Sequence, residues 1–299
     1  MVIDYLLLGV GLFGLIVGSI TDIQKREVAD WVNYFLIFSG IALRLIFSIY
    51  TGQWDFFGFG MLGLIIFTII AYVMFLSGQW GGGDSKMLMA MGILFATYPE
   101  SLYAYFDPVF LGFPFLLGFW LNLLIFGAIY GILWTIGSGV FHYKEMISSY
   151  KEWVKNKYIR KVRLISHSLA LVLIVSGLFL GNYLFRVSAI VFGVIILGFF
   201  YLYIIIKSVE NACMFRMVRA DQLVEGDWPF DDIIVEGRKV FSKDKAIGLE
   251  RKDIDRLMRL SEKKKIGKIK VKHGVPFVPS FLIALLFTLS YGNVLVFLI

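Results

Sequence analysis

Eight long apolar stretches, separated by polar connections, set the pattern of this chain. A helix needs about 20 predominantly apolar residues to cross a bilayer, and most of the stretches approach or exceed that length. The fourth is short. The fifth is too long for one upright helix and contains Pro114, which predicts a tilt, a kink or a loop within it. The stretches cover about residues 3–21, 31–50, 57–77, 85–98, 109–140, 165–184, 187–206 and 277–298. The pattern predicts an all-α polytopic membrane protein with about eight transmembrane helices.

The longest polar connection, residues 207–275, is the only candidate for a module outside the membrane. Residues 248–260 carry their apolar side chains at helical spacing, which predicts an amphipathic helix. Residues 231–241 have strand character and contain Gly237. We therefore expect a small α+β module here. The sixth and seventh apolar stretches meet near residues 181–186 and predict a tight helical hairpin.

Composition supports the membrane class, and charge adds an orientation. Hydrophobic residues make up 59% of the 299 residues, and the mean hydropathy is +0.78. Of the 29 Lys and Arg residues, 27 lie in the odd-numbered connections between the stretches. The positive-inside rule then predicts that these connections are cytoplasmic and that both termini lie outside. The net charge of +7 thus indicates topology and contact with anionic lipid, not nucleic-acid binding.

Four acidic residues fall near or within the apolar stretches, where a carboxylate is costly and favours a functional hypothesis. Asp4 and Asp107 fall at the predicted outer ends, where they meet water. Asp22 ends the first stretch and Asp84 begins the fourth, both on the predicted cytoplasmic side. If the first and fourth helices pack together, these two carboxylates face each other just inside the membrane.

Two facing carboxylates are suited to activating water. One ionised aspartate can take a proton from water while a protonated one polarises a scissile carbonyl, and like charges at close range separate the two protonation equilibria. Such chemistry needs no metal and no cofactor. The glycines at 81–83 fit it, because they let backbones approach closely and leave room for water and an extended peptide.

The same residues also fit ordinary structural roles. Asp22 could be an interfacial residue beside Lys25 and Arg26, and Asp84 could cap the helix that it begins. Lys86 could be an anchor on the cytoplasmic side. A functional alternative of another class is a proton- or ion-coupled transporter in which Asp22 and Asp84 relay ions. Transporters usually show repeated halves or midplane charges, and neither is evident here.

Three motifs in order resemble the GxGD aspartyl proteases of the membrane, specifically the type IV prepilin and archaeal preflagellin peptidases. Gly81-Gly82-Gly83-Asp84 matches the GxGD motif and is followed by Ser85-Lys86. Asp22 begins a segment that continues through Lys25 to Val28-Ala29-Asp30, a variant of the segment around the family's first aspartate. Gly274-Val275-Pro276-Phe277-Val278-Pro279 resembles the family's entry into its last helix.

This resemblance implies an endopeptidase that removes a short basic leader from prepilin-like or preflagellin-like precursors at the cytoplasmic membrane face. Asp22 and Asp84 would be the catalytic pair, and Gly81, Gly83, Lys86 and Lys25 would be supporting motif residues. Bacterial members often add a loop with paired CxxC motifs and methylate the new N-terminus. This chain has a single cysteine, Cys213, so we do not assign methyltransferase activity. A catalytically inactive scaffold for pilus assembly is a further alternative.

The resemblance also organises the chain into four parts. Relative to a six-span core, residues 142–206 are an inserted basic segment with a transmembrane hairpin. They separate a transmembrane catalytic core at 1–141 from a cytoplasmic module at 207–275 and a final helix at 276–299. The module carries an acidic cluster that we hypothesise attracts the basic leader. Its ordinary alternative is a solvated turn. The cluster consists of Glu225, Asp227, Asp231 and Asp232.

Overall fold

The computed structural model describes residues 2–223, 226–235, 237–242, 248–263, 265–272 and 274–298. Helices dominate these residues. The α-helices are α1 (Val2–Lys25), α2 (Asp30–Thr51), α3 (Trp54–Leu76), α4 (Gly82–Leu94), α5 (Phe115–Phe141), α6 (Tyr143–Lys155), α7 (Lys157–Phe179), α8 (Tyr183–Cys213), α9 (Arg251–Glu262) and α10 (Val278–Tyr291). Short 3₁₀-helices cover Glu100–Ala104, Ala220–Gln222 and Val294–Leu298. The strands are β1 (Phe215–Val218), β2 (Trp228–Pro229), β3 (Ile233–Val235), β4 (Arg238–Phe241) and β5 (Ile269–Lys272).

Each of the eight apolar stretches contains a helix, which confirms the polytopic membrane class. Among the described residues, six helices are long and apolar enough to cross a membrane, namely α1, α2, α3, α5, α7 and α8. The expectation of about eight full spans therefore needs refinement. With 13 and 14 residues, α4 and α10 are each about 20 Å long at 1.5 Å per residue, which is shorter than a bilayer core.

The ambiguous fifth stretch resolves into a loop followed by a helix. Pro114 directly precedes α5, so the residues from 109 to 114 lie outside the helix. The last stretch is also divided, because α10 ends at Tyr291 and Gly292 has φ 84°. A positive φ is accessible to glycine at little cost, and it lets the chain turn into the final 3₁₀-helix.

The chain divides into two compact units, Met1–Gly131 with Met217–Ile299, and Ile132–Arg216. In the first unit, α4 is the most enclosed helix and packs against α1, α2 and α3. Its buried apolar side chains are Met87, Leu88, Ala90, Met91, Ile93 and Leu94, each at most 1% exposed. The residue pattern of α4 agrees with this, since a helix that is apolar on all sides is one that is enclosed on all sides.

A pair of glycines allows a close backbone contact between α3 and α4. A Cβ built on Gly63 would lie 2.3 Å from the Gly92 carbonyl oxygen, and one on Gly92 would lie 2.5 Å from the Gly63 carbonyl oxygen. Small residues at helix crossings allow this backbone contact inside membranes. The two helices could not pack at this distance with larger residues.

Replacing Gly63 with alanine is expected to lower the free energy of unfolding by about 1–3 kcal/mol, the usual cost of forcing extra atoms into a packed site. Gly58→Ala is the matched control in the same helix, because nothing lies within 4 Å of a Cβ at Gly58. Thermal unfolding in detergent measures both variants. Equal melting temperatures for the two would contradict the close contact.

The strand-containing part of the first unit has the predicted mixed character. One sheet has the strand order β1-β5-β2, with β2 antiparallel to β5, and β3 and β4 form a separate antiparallel hairpin. Helix α9 confirms the amphipathic helix predicted at 248–260, and the β3–β4 hairpin turns at Gly237, φ 76°. Leu249, Ile254, Leu257 and Val271 contribute to a small apolar core here.

The second unit contains α6, α7 and α8. The predicted hairpin is present, since α7 ends at Phe179 and α8 begins at Tyr183 after an Asn182 cap whose side chain accepts from the Leu184 amide. Glycines again permit close packing, because a Cβ on Gly193 would lie 3.0 Å from the Ala170 carbonyl oxygen. The predicted insert at 142–206 falls within this unit. The four-part division of the sequence stays a prediction.

Candidate functional site

Asp22 lies in the last turn of α1 and is only 5% exposed. Its Oδ2 accepts a hydrogen bond of 2.9 Å from the backbone amide of Val278, the first residue of α10, and the Phe277 amide also acts on this carboxyl group. The free N–H groups and the dipole of a helix N-terminus stabilise a nearby negative charge. The entry into the last helix therefore holds the first aspartate, which connects two of the three sequence motifs.

Asp84 lies in the first turn of α4 and is half-buried. Its Oδ2 accepts a 3.3 Å hydrogen bond from the Gly81 amide, at the residue that precedes the helix. Asp84 therefore helps to cap its own helix, as expected if its role were purely structural. The carboxyl group thus has a fixed position at the mouth of the helix, and capping does not preclude a chemical role.

Because α1 packs on α4, the two carboxyl groups lie toward the same end of this helix pair. A Cβ on Gly18 would lie 2.8 Å from Cε of Met87, so α1 and α4 touch at these two residues. Asp22 follows Gly18 by one helical turn, and Asp84 precedes Met87 by about one turn, so both lie toward the same end of the bundle. Asp22 and Asp84 are close enough to interact electrostatically.

Residues 78–83, which we call the glycine-rich joint, precede Asp84 and require glycine for two different reasons. Gly78 has φ 68°, a conformation that favours glycine. Gly83 instead lies against the α1–α2 connection, where an added Cβ would be 3.3 Å from both the backbone nitrogen and Cβ of Val28. Gly81 has φ −72°, and an added Cβ there would meet only Asp84 Oδ2, at 3.5 Å. Of the two predicted motif glycines, Gly83 has the tighter surroundings.

The two predicted basic motif residues have different environments. Lys86 forms an ion pair with Asp30, the first residue of α2, and its ammonium group lies 5.6 Å from the ring centre of Tyr34. Lys25 is exposed and makes no ion pair within the described part of the chain. The structure thus joins Lys86 to the segment after the first aspartate and leaves Lys25 at the surface.

Arg26 is a site residue that the sequence did not single out. It has φ 61°, unusual for a residue other than glycine, and its Nη1 donates a 2.8 Å hydrogen bond to the Gly274 carbonyl. Arg26 also interacts electrostatically with Asp22, as does Tyr130 of α5. Strained conformations often occur at functional sites. Arg26 therefore provides a second link between the first and third motifs.

Aromatic side chains form a wall beside the joint. Trp80 lies 5.3 Å from Phe277, 5.5 Å from Phe281 and 5.6 Å from Trp120, measured between ring centres. Trp80 and Phe277 are half-buried. Trp80 precedes Asp84 by four residues and the Phe277 amide acts on Asp22, so the wall belongs to the two segments that carry or hold the aspartates.

The predicted acidic cluster lies in the strand-containing part of the first unit. Asp232 forms a 2.6 Å ion pair with Lys239 and accepts from Ser242, so it has local partners as the ordinary alternative proposed. Asp231 is exposed and Asp227 is half-buried. Glu225 lies outside the described residues.

Within the residues that the structure describes, no group of three or more His, Cys, Asp and Glu side chains could hold a metal ion. The site is thus described by two carboxyl groups, a helix N-terminus, a basic side chain and an aromatic wall. The fold and this site define a class, namely a polytopic helical membrane protein with paired aspartates at one end of its bundle.

Comparison with known proteins finds a family that resembles part of the chain. Residues 9–136 match the model of the type IV leader peptidase family. This segment contains Asp22, Asp84 and the glycine-rich joint. Through this segment, the chain is similar to the type IV leader peptidase family.

Three curated relatives carry the name preflagellin peptidase. The protein of Methanococcus voltae is 36% identical over 101 residues, which are 34% of this chain and 43% of the relative. That of Methanococcus maripaludis is 35% identical over 94 residues, 31% of this chain and 40% of the relative. That of Methanocaldococcus jannaschii is 34% identical over 96 residues, 30% of this chain and 38% of the relative. The chain spans less than half the length of these relatives. No solved structure matches the chain.

Proposed function

We propose that the chain is an aspartyl endopeptidase of the membrane that removes a short basic leader from preflagellin-like or prepilin-like precursors. The observation that carries this proposal is the placement of Asp22 and Asp84 at the same end of the packed α1 and α4 helices, inside the segment that matches the family. The relatives named preflagellin peptidase support a leader-processing reaction.

The surroundings of the two carboxyl groups support different roles for them in this proposal. Asp22 receives the Val278 amide at the N-terminus of α10, and such hydrogen bonds favour the ionised form of a carboxyl group. Asp22 is therefore the base that takes a proton from the attacking water. Asp84, beside this negative charge, is the acid that donates a hydrogen bond to the scissile carbonyl oxygen. After attack, the proton held by Asp22 passes to the leaving amine.

The site has an environment suited to a substrate that is partly in the membrane. The half-buried rings of Trp80 and Phe277 offer an apolar surface for the segment after the cleaved bond, and the fully buried Phe281 packs behind them. The leader would remain on the cytoplasmic side, with both termini of the enzyme outside. Contacts of the leader with Glu225, Asp227, Asp231 and Asp232 stay a prediction, as does contact of the basic connections with lipid.

Cleavage of a precursor in vesicles tests this function. The purified chain is expected to cut a preflagellin-like precursor at one bond between its basic leader and its apolar segment, as read from the new N-terminal sequence. EDTA is expected to leave the rate unchanged, because two carboxyl groups can activate water without a metal.

Two results would contradict this assignment. Loss of cleavage in EDTA that is restored by added divalent metal would indicate metal-assisted hydrolysis. An intact precursor together with proton uptake by the vesicles would favour the transporter alternative, since a transporter moves protons and cuts no peptide bond.

A further inference from the structure

Arg44 is a buried arginine in the C-terminal half of the membrane-spanning helix α2, 1% exposed. Its guanidinium group donates three hydrogen bonds to backbone carbonyls. Nε donates to Ile93 at 2.6 Å, Nη2 to Leu94 at 3.2 Å and Nη1 to Phe56 at 2.9 Å. Ile93 and Leu94 are the last two residues of α4. Arg44 therefore binds the C-terminal end of the helix that begins near Asp84.

The need for these hydrogen bonds follows from where α4 ends. The last four carbonyls of a helix have no partner within the helix, and no water is available inside a membrane to replace one. The end of α4 is enclosed, with Leu94 at 1% and Phe95 at 0% exposure. A guanidinium group is suited to this place, because its planar array of N–H groups can serve several acceptors at once.

The surroundings of Arg44 are shaped to hold it. A Cβ on Gly60 would lie 2.3 Å from Cδ of Arg44, so the glycine leaves the space that the side chain fills. The Phe56 ring lies 4.3 Å from the guanidinium carbon, a distance typical of a cation–π contact. Asp4 also interacts electrostatically with Arg44. The side chain is thus fixed by α3 as well as by α4.

The same helix, α2, also binds the beginning of α4. Asp30, its first residue, forms the ion pair with Lys86, two residues after Asp84. A helix of 13 residues is short and stiff, so contacts at both ends define its position along its own axis. The axial position of α4 determines how far Asp84 lies from Asp22, which is on α1.

We propose that Arg44 is a positioning residue that keeps Asp84 level with Asp22 by fixing the C-terminal end of α4. This role rests on the proposed function, because it presumes that the two aspartates act together. Arg44 lies at the opposite end of α4 from Asp84 and acts only through the helix. Small misplacements of reacting groups reduce the rate of the chemical step more than substrate binding.

The test uses Arg44→Met and Arg44→Lys in the full chain in vesicles, and measures kcat and KM for precursor cleavage on the folded, monodisperse fraction. Arg44→Met is expected to lower kcat by about 10- to 100-fold with KM changed less than about threefold. The kcat of Arg44→Lys is expected to lie between those of the wild type and Arg44→Met, because an ammonium group replaces only part of the hydrogen-bonding array of the guanidinium group. Arg186→Met is the matched control, since Arg186 also donates to a carbonyl, that of Leu180 in the exposed α7–α8 turn.

A second readout reports the position of α4 without relying on activity. Ser85→Cys is made in a Cys213→Ser background, so that the chain has a single thiol. Ser85 is 4% exposed, and its labelling by a water-soluble maleimide is therefore expected to be slow. Adding Arg44→Met is expected to increase the labelling rate at least about fivefold as α4 shifts and the joint opens, whereas Arg186→Met leaves it unchanged.

The two readouts separate the possible failures. An unchanged kcat in folded Arg44→Met, or an unchanged labelling rate, would overturn the positioning role alone. A wild-type chain that cleaves no precursor would refute the proposed function, and the positioning role with it.

Discussion

Replacing either Asp22 or Asp84 with asparagine is expected to lower precursor cleavage by about 10²–10⁴-fold, the usual contribution of a positioned general acid or base. Asparagine keeps the size of the side chain and an acceptor oxygen. In Asp22→Asn, the Val278 amide therefore still has a side-chain oxygen to donate to, and the site keeps its shape. The negative charge and the ability to take up or release a proton are lost. The rate of appearance of the new N-terminus in vesicles measures the effect.

The matched control is Asp107→Asn, which neutralises an exposed aspartate in the connection before α5 and is expected to change the rate less than about twofold. The double variant Asp22→Asn/Asp84→Asn is expected to be no slower than the slower single variant, because residues that act as a unit are not additive. Full activity in either single variant would refute the pair, and multiplicative losses in the double variant would indicate two independent roles.

Several features of this fold could be predicted from residue types alone. Long apolar stretches predict helices because, apart from a closed β-barrel, only a helix pairs every backbone N–H and carbonyl group in lipid. A helix is present in each of the eight stretches. Asp84 at the start of a short stretch predicted a helix that begins below the membrane surface. The 13 residues of α4 agree with that expectation. By contrast, α6 was missed, because its polar and basic residues resemble a connection.

The partners of three charged residues could not be predicted from the sequence, because these partners are backbone atoms. Asp22 is held by the Val278 amide, Arg26 by the Gly274 carbonyl and Arg44 by the carbonyls at the end of α4. Every residue has a carbonyl, so residue types carry no signal for such contacts. Only the tertiary packing of helices far apart in the sequence selects which backbone group is available. The order of the three motifs predicted that they belong together, but not which atoms join them.

Gly83→Ala is expected to lower kcat for precursor cleavage by about tenfold, and Gly83→Val by about 10²-fold, through displacement of the two aspartate segments from each other. An added Cβ would lie 3.3 Å from the backbone nitrogen of Val28, which is tighter than nine in ten contacts of real Cβ atoms. Val28 is 3% exposed and cannot move outward freely. Because Val28 follows Asp22 by six residues and Gly83 precedes Asp84 directly, any separation here moves the carboxyl groups apart.

Gly82→Ala is the matched control for this effect. It is the neighbouring residue in the same first turn of α4, so both alanine variants change the helix propensity equally. A Cβ on Gly82 would meet only Phe75, at 3.8 Å, an ordinary contact. Cleavage by Gly82→Ala is therefore expected to stay within about twofold of the wild type. Equal rates for Gly82→Ala and Gly83→Ala would show that the close approach of Gly83 to Val28 does not control the distance between the aspartates.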